Sequence, residues 1–103
     1  MSLDHIGFLM STTLLPRFTD KQGQYLAFIH AYVLLNGRAP AETDMQRYFQ
    51  VTPPTVHSMV MKLEACGLIE RTPREARSIR LIVDVAELPA LRPQPIKTSV
   101  ARY

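Results

Sequence analysis

Only Gln50, Val51 and Thr52 separate two stretches that both carry a helical pattern, AETDMQRYF before them and PPTVHSMVMKLEA after them. A link that short leaves no room for two helices to fold back side by side. They must meet at a steep angle, which is the geometry of a helix-turn-helix. What covers this pair must come from the remainder of the chain.

In the first of the two, Met45, Tyr48 and Phe49 share one face, with Glu42, Asp44, Gln46 and Arg47 largely outside. Its acidic residues fall in the first turn, where they complement the positive end of the helix dipole. The second opens on Pro53-Pro54, because proline is tolerated where its missing amide has no intrahelical acceptor, and Thr52 just before it is a suitable N-cap. Val56, Met59, Val60 and Leu63 form its inward stripe, Gly67 is its expected stop, and Thr55, His57, Ser58, Met61 and Lys62 lie opposite.

Upstream, Thr19 followed three residues later by Gln22 makes a capping box, in which each side chain satisfies the other's free backbone donor. Tyr25, Leu26, Ile29, Tyr32 and Val33 recur at helical spacing, and Asn36-Gly37 tolerates the left-handed backbone that ends helices. A helix is expected from Asp20 to Leu35. Beyond Gly67 the period changes, and LIER and SIRLIV read as two strands joined by TPREAR. The expected fold is therefore mainly α with a small antiparallel β-hairpin, a winged helix-turn-helix on a three-helix core. It spans residues 19–83, between a lead-in over 1–18 and an arm over 84–103 that Pro89, Pro93 and Pro95 keep extended or disordered.

The 103 residues, 47% of them hydrophobic, suffice for one domain. The net charge of +3 permits a nucleic-acid partner without demanding one, so distribution decides. From Pro53 to Arg80, Lys62, Arg71, Arg74, Arg77 and Arg80 outnumber Glu64, Glu70 and Glu75, and most of the excess sits there. The single cysteine, Cys66, makes no internal disulfide and has no second Cys or clustered His for a metal, so it reads as a packing or helix-end residue and no cofactor is expected. A reducing cytoplasm fits best. The opening MSLDHIGFLMSTTLLPR has no basic residue before its apolar patch, unlike a signal peptide, and no stretch approaches the roughly 20 apolar residues of a membrane span. His5, His30 and His57 are scattered, and there is no Gly-rich phosphate loop, so no enzyme is expected.

In DNA-binding folds of this outline the last helix enters the major groove, where small polar side chains near its start reach base edges and basic groups nearby contact phosphates. Thr52, Pro54, Thr55, His57 and Ser58 occupy that leading end. Any one of them reads equally well as a solvated surface position; as a group they read as base contacts. His57 is a donor or acceptor toward a guanine or phosphate, or a plain surface residue. Lys62 sits better for a phosphate than for a base, and reads equally as a solubilising lysine. Arg71, Arg74, Arg77 and Arg80 cluster on and beside the hairpin, where they track the DNA backbone or enter a minor groove, although Glu75 dilutes them and alternation turns Arg80 outward. Tyr25, Tyr32, Tyr48 and Phe49 read as core rather than as a stacking platform.

These residues resemble a known family. From about Phe18 to Val83 the chain is similar to the N-terminal DNA-binding domain of LexA-type repressors, through GRAPAETDMQRYF, TPPTVHSMVMKLEACGLIER and above all RSIRLI, which is similar to that family's wing return strand. The resemblance implies a repressor that binds double-stranded DNA, with Thr52, Pro54, Thr55, His57 and Ser58 at base-reading positions and the wing around Arg74 to Arg77 near the backbone. Pro54 stands where the family has an asparagine, so the operator sequence does not carry over, and Ser78 replaces the usual wing glycine. The resemblance does not extend to the family's self-cleaving, dimerising peptidase domain. Self-cleavage is therefore not expected, and a homodimer would have to form through the lead-in, the arm or another protein. A rival expectation is a winged-helix protein-protein interaction module in a larger assembly, which the modest net charge and the apolar Met61 on the outer face of the last helix favour.

Overall fold

The computed structural model describes residues 17–94; residues 1–16 of the expected lead-in and 95–103 of the expected arm lie outside the described residues. Three helices, α1 (Asp20–Asn36), α2 (Glu42–Phe49) and α3 (Pro53–Ala65), lead into a two-stranded antiparallel sheet of β1 (Ile69–Glu70) and β2 (Arg80–Leu81), followed by a 3-10 turn at Val85–Glu87.

Helix α1 starts where its capping box places it. Thr19 Oγ1 accepts from the Gln22 amide at 3.1 Å and Gln22 Oε1 accepts from the Thr19 amide at 2.9 Å. It ends on Gly37 in the left-handed region (φ 74°), whose amide donates to the Val33 carbonyl. Tyr25, Leu26 and Ile29 of the expected stripe are buried, and Phe28, which that stripe left out, is buried with them. Val33 is not: at 39% exposed it lies where α1 runs past the edge of the domain, and Leu34 and Leu35 beyond it are more open still. The aromatic residues pack on one another as expected for core, with Tyr25 stacked on Phe49 at 4.1 Å and Phe28 against Tyr48 at 4.7 Å.

The steep turn between α2 and α3 is made by Gln50, which adopts a left-handed conformation (φ 56°, ψ 51°). Val56, Val60 and Leu63 are fully buried beneath α3, each side chain of this kind contributing about 1.5–3 kcal/mol. The helix closes with a left-handed Gly67, whose amide donates to Glu64 while that of Leu68 reaches back to Leu63 at 3.0 Å. This paired closure redirects the chain into the wing and buries Leu68 as it leaves.

The ladder is shorter than LIER and SIRLIV suggest: Ile69 pairs with Leu81 and Glu70 with Arg80, with one further bond from Ile82 to Leu68. The Ser78 hydroxyl replaces the next rung, accepting from the Thr72 amide at 2.9 Å and donating to its carbonyl at 3.1 Å. Arg74 and Arg77 both take left-handed backbone (φ 66° and 57°), which turns the chain at both ends of the segment between them. The Ser78 side chain thus closes the base of the wing at a position where the family resemblance leads one to expect glycine.

Asp44 corrects the expectation that the acidic face of α2 is solvated. Its side chain is only 10% exposed. It accepts from the Ala41 amide at 2.8 Å, from Arg47 at 2.9 Å and from Arg77 at 3.1 Å. Burial pushes its pKa up, but the Ala41 amide, the Arg77 charge, the Tyr32 hydroxyl and Arg47 together outweigh it and hold the carboxyl below its ordinary value.

The arm is also not free over its described part. Gln24, 2% exposed, donates from its amide to the Ala90 carbonyl at 2.9 Å and accepts from the Arg92 amide at 2.8 Å. The Tyr48 hydroxyl donates to the Arg92 carbonyl at 2.7 Å, Arg92 pairs with Asp20 at 2.7 Å, and Arg17 meets Glu87 at 3.5 Å. The Arg92 hydrogen bond lowers the pKa of Asp20. Gly23 lets Phe18 and Pro89 close in, since a Cβ there would stand 3.0 Å from the ring and 3.1 Å from the proline. Leu88 and Leu91 then pack against the core.

Replacing Gln24 with Leu is expected to cost about 1–3 kcal/mol in a denaturant melt, since it orphans two backbone groups, and to open residues 84–94 to proteolysis while α3 stays protected. The pH dependence of stability is the second check. The folded-state pKa of Asp44 lies below its unfolded value, so its contribution is present at neutral pH and is lost as the pH falls through the folded value. Melting temperature should therefore drop on acidification below about pH 4, and Asp44→Asn should start lower at pH 7 and show a shallower acid decline.

Candidate nucleic-acid interface

With Val56, Val60 and Leu63 buried, the 100° step of an α-helix divides the rest of α3 into two stripes. His57, Met61 and Glu64 turn toward the wing, where the Arg71 guanidinium donates to Glu64 at 3.1 Å and contacts the Met61 sulfur at 2.9 Å. Thr55, Ser58 and Lys62 face away from both core and wing, and with Pro54 and Met59 line a shallow groove along the helix. Thr52, Pro54, Thr55, His57 and Ser58 are all exposed, so the leading end of α3 is open as its sequence suggests. Thr52 does not cap the helix with its side chain. Its hydroxyl lies 2.9 Å from that of Thr55, so the two hydroxyls orient each other. His57 Nδ1 is 3.3 Å from a Glu42 carboxylate oxygen at the start of α2.

A cleft joins this helix to the wing loop. It is lined by Pro40 to Thr43 at the entry to α2, by His57 of α3, and by the loop from Arg74 to Ile79 together with Arg71. The wing loop and the leading end of α3 are therefore neighbours on one side of the molecule.

The four arginines of the hairpin, alike in sequence, are placed in four different ways. Arg74 is exposed on the loop and bonds to no other described residue. Arg80 is exposed and paired with Glu70 across the strands, pointing outward as alternation predicts. Arg71 is 17% exposed and held along α3 by Glu64 rather than offered to solvent. Arg77 turns inward: one guanidinium nitrogen lies 3.0 Å from the Tyr32 hydroxyl, 3.2 Å from the Ala39 carbonyl and 3.1 Å from Asp44, with the group 5.8 Å from the Tyr32 ring centre. Lys62 is exposed, and its side chain bonds to no other described residue.

The inward placement of Arg77 had a weak signal in the sequence: an acidic residue four positions after Pro40, in a helix start otherwise open to solvent. No spacing rule connects Asp44 to Arg77 across the intervening chain. Cys66 is exposed at the end of α3, a helix-end position rather than a packed one. Among the described residues no group of three His, Cys, Asp or Glu is placed to hold a metal ion, and no helix is long and apolar enough to cross a membrane.

Comparison with known proteins places this geometry in context. The family model described as the LexA DNA binding domain matches residues 16–78. The LexA repressor of Thermosipho melanesiensis is 38% identical over 68 residues, covering 66% of this chain and 34% of that protein. The LexA repressor of Thermosipho africanus is 37% identical over the same length. That of Magnetococcus marinus is 32% identical over 84 residues, or 82% of this chain and 35% of the relative. The chain thus spans about a third of the length of the curated relatives it matches. With the three helices, the short wing and the matched segment in agreement, the chain belongs to the LexA DNA-binding domain family.

Proposed function

We propose that the chain binds double-stranded DNA with sequence selectivity and acts as a transcriptional repressor, α3 entering the major groove and the wing loop lying on the sugar-phosphate backbone. The observation that carries the reading is that α3, seated on a fully buried stripe, leaves Thr55, Ser58 and Lys62 open, while His57 at the same leading end borders the cleft that the wing loop lines. Thr55 and Ser58 present short hydroxyls toward base edges, Thr52 and His57 flank them, and Pro54 offers only an apolar contact, since it has no side-chain donor. Lys62 and Arg74 meet phosphates. Arg80 does so at the cost of its Glu70 pairing, while Arg71 and Arg77 act through the fold.

The rival reading, an interaction module docking through α3 in a larger assembly, draws on the modest net charge and on Met61, which stays 41% exposed although its sulfur contacts Arg71. One such module reads few base pairs, so useful selectivity calls for two copies on two-fold-related half-sites about one helical turn apart.

Selection from a random duplex pool is expected to return a palindromic consensus; a consensus without dyad symmetry counts against pairing, and no enrichment counts against DNA recognition altogether. Arg74→Ala should weaken binding on every sequence and reduce the slope of log affinity against log salt by about 1. Thr55→Ala should instead relax the preference at one position by about 1–3 kcal/mol while leaving that slope alone. Unchanged selectivity in that variant rules out direct readout by Thr55.

A further inference from the structure

We propose that Arg77 is a positioning residue that sets the wing loop against α1 and α2 so that Arg74 projects beside the leading end of α3, and that it makes no DNA contact itself. The inference rests on the DNA-binding reading and concerns how that surface is assembled. Three acceptors from three parts of the chain meet one guanidinium: the Tyr32 hydroxyl on α1, the Ala39 carbonyl in the connection, and the Asp44 carboxylate on α2. The side chain is about a third exposed and lies near the Tyr32 ring, so reaching a phosphate would mean abandoning all of these partners at once.

The backbone supports the same conclusion. Arg77 is left-handed although it carries a side chain, and so is Arg74 three residues earlier. A left-handed conformation costs a non-glycine residue on the order of 1–2 kcal/mol, so it persists where surrounding contacts hold it. At Arg77 those contacts are the Tyr32 hydroxyl, the Ala39 carbonyl and the Asp44 carboxylate. Among the described residues, one backbone bond in the loop runs from the Glu75 amide back to the Thr72 carbonyl, and the Ser78 hydroxyl fixes its base. The loop therefore has two anchors, Ser78 at the sheet and Arg77 at the helices, and Arg74 is the cation they leave pointing out.

Asp44→Asn separates the two roles that Arg77 can play. It leaves the guanidinium in place and removes the carboxylate that holds it. If Arg77 positions the loop, Asp44→Asn weakens binding to the selected duplex several-fold, the same substitution adds little in an Arg74→Ala background, and the double-mutant cycle shows coupling. Amide exchange over residues 74–77 is then faster in Asp44→Asn while the middle of α1 stays protected. If Arg77 is a phosphate ligand, freeing it leaves affinity unchanged or raises it, and Arg74→Ala and Arg77→Gln each remove about one unit of salt slope independently; either result overturns the proposal. Tyr32→Phe, which deletes one hydroxyl, provides the same comparison should Asp44→Asn melt below the assay temperature. A wild-type chain that binds no duplex removes the DNA-binding reading instead, and loop exchange then decides the clamp alone: unchanged exchange over residues 74–77 in both variants overturns it.

Discussion

The fully buried row of Val56, Val60 and Leu63 fixes the rotation of α3 about its own axis, and every other feature of the surface follows from that angle. A helix can be rolled by one residue only if a different set of side chains can be buried. Here the neighbouring sets are Thr55-Met59-Lys62 and His57-Met61-Glu64, each carrying charged or polar groups that lose hydration on burial. The alternative rolls are therefore penalised by several kcal/mol. The stacked pair of Tyr25 and Phe49 belongs to the same buried cluster and joins α1 to α2.

Charge on this surface is sparser than the composition suggests. Five basic residues lie between Pro53 and Arg80, yet Glu64 takes Arg71, Glu70 takes Arg80 and Asp44 takes Arg77, which leaves Lys62 and Arg74. Ion pairs at exposed sites are worth little in stability, but a paired arginine must give up its partner before it meets a phosphate. The electrostatic share of affinity in the proposed complex is then carried by few groups, and the contacts along Thr55 and Ser58 carry correspondingly more of the discrimination.

Much of this was legible in the residues, and what was not has a common cause. The capping box at Thr19 and Gln22, the proline start of α3, the glycine stops at Gly37 and Gly67 and the change of period after Gly67 are local signals, decided by atoms within a turn of each other. The inward turn of Asp44 and Arg77, the burial of Gln24 and the exposure of Val33 are not local. A periodic pattern says which face of α1 is apolar but not where the domain beneath it ends, so Val33 continues the stripe after its support has stopped. Gln24 reads as a polar break in an apolar run because its partners, Ala90 and Arg92, lie in a proline-rich stretch with no periodicity to announce that it docks. Gly23 was the available hint, a glycine inside a helix where a close approach explains its presence. The strands came out short for a related reason: a serine side chain took over a rung that backbone pairing was expected to supply.

The docked arm bears on where this folding unit stops. The family match ends at residue 78, but Ile79 and Val83 are in the buried core, Leu88 and Leu91 pack on it, and Gln24 spends both ends of its buried amide on residues 90 and 92. A chain cut at the end of the matched segment would expose Leu68 and Ile69, lose the β2 partner of β1 and leave the Gln24 amide without acceptor or donor. Arg77 would lose the strand that follows it and with it one side of the loop that its guanidinium holds. The wing, the arm and α1 in this sense support one another: the segment that matches the family carries the proposed reading surface, and the sixteen residues after it, 79–94, pack against that segment.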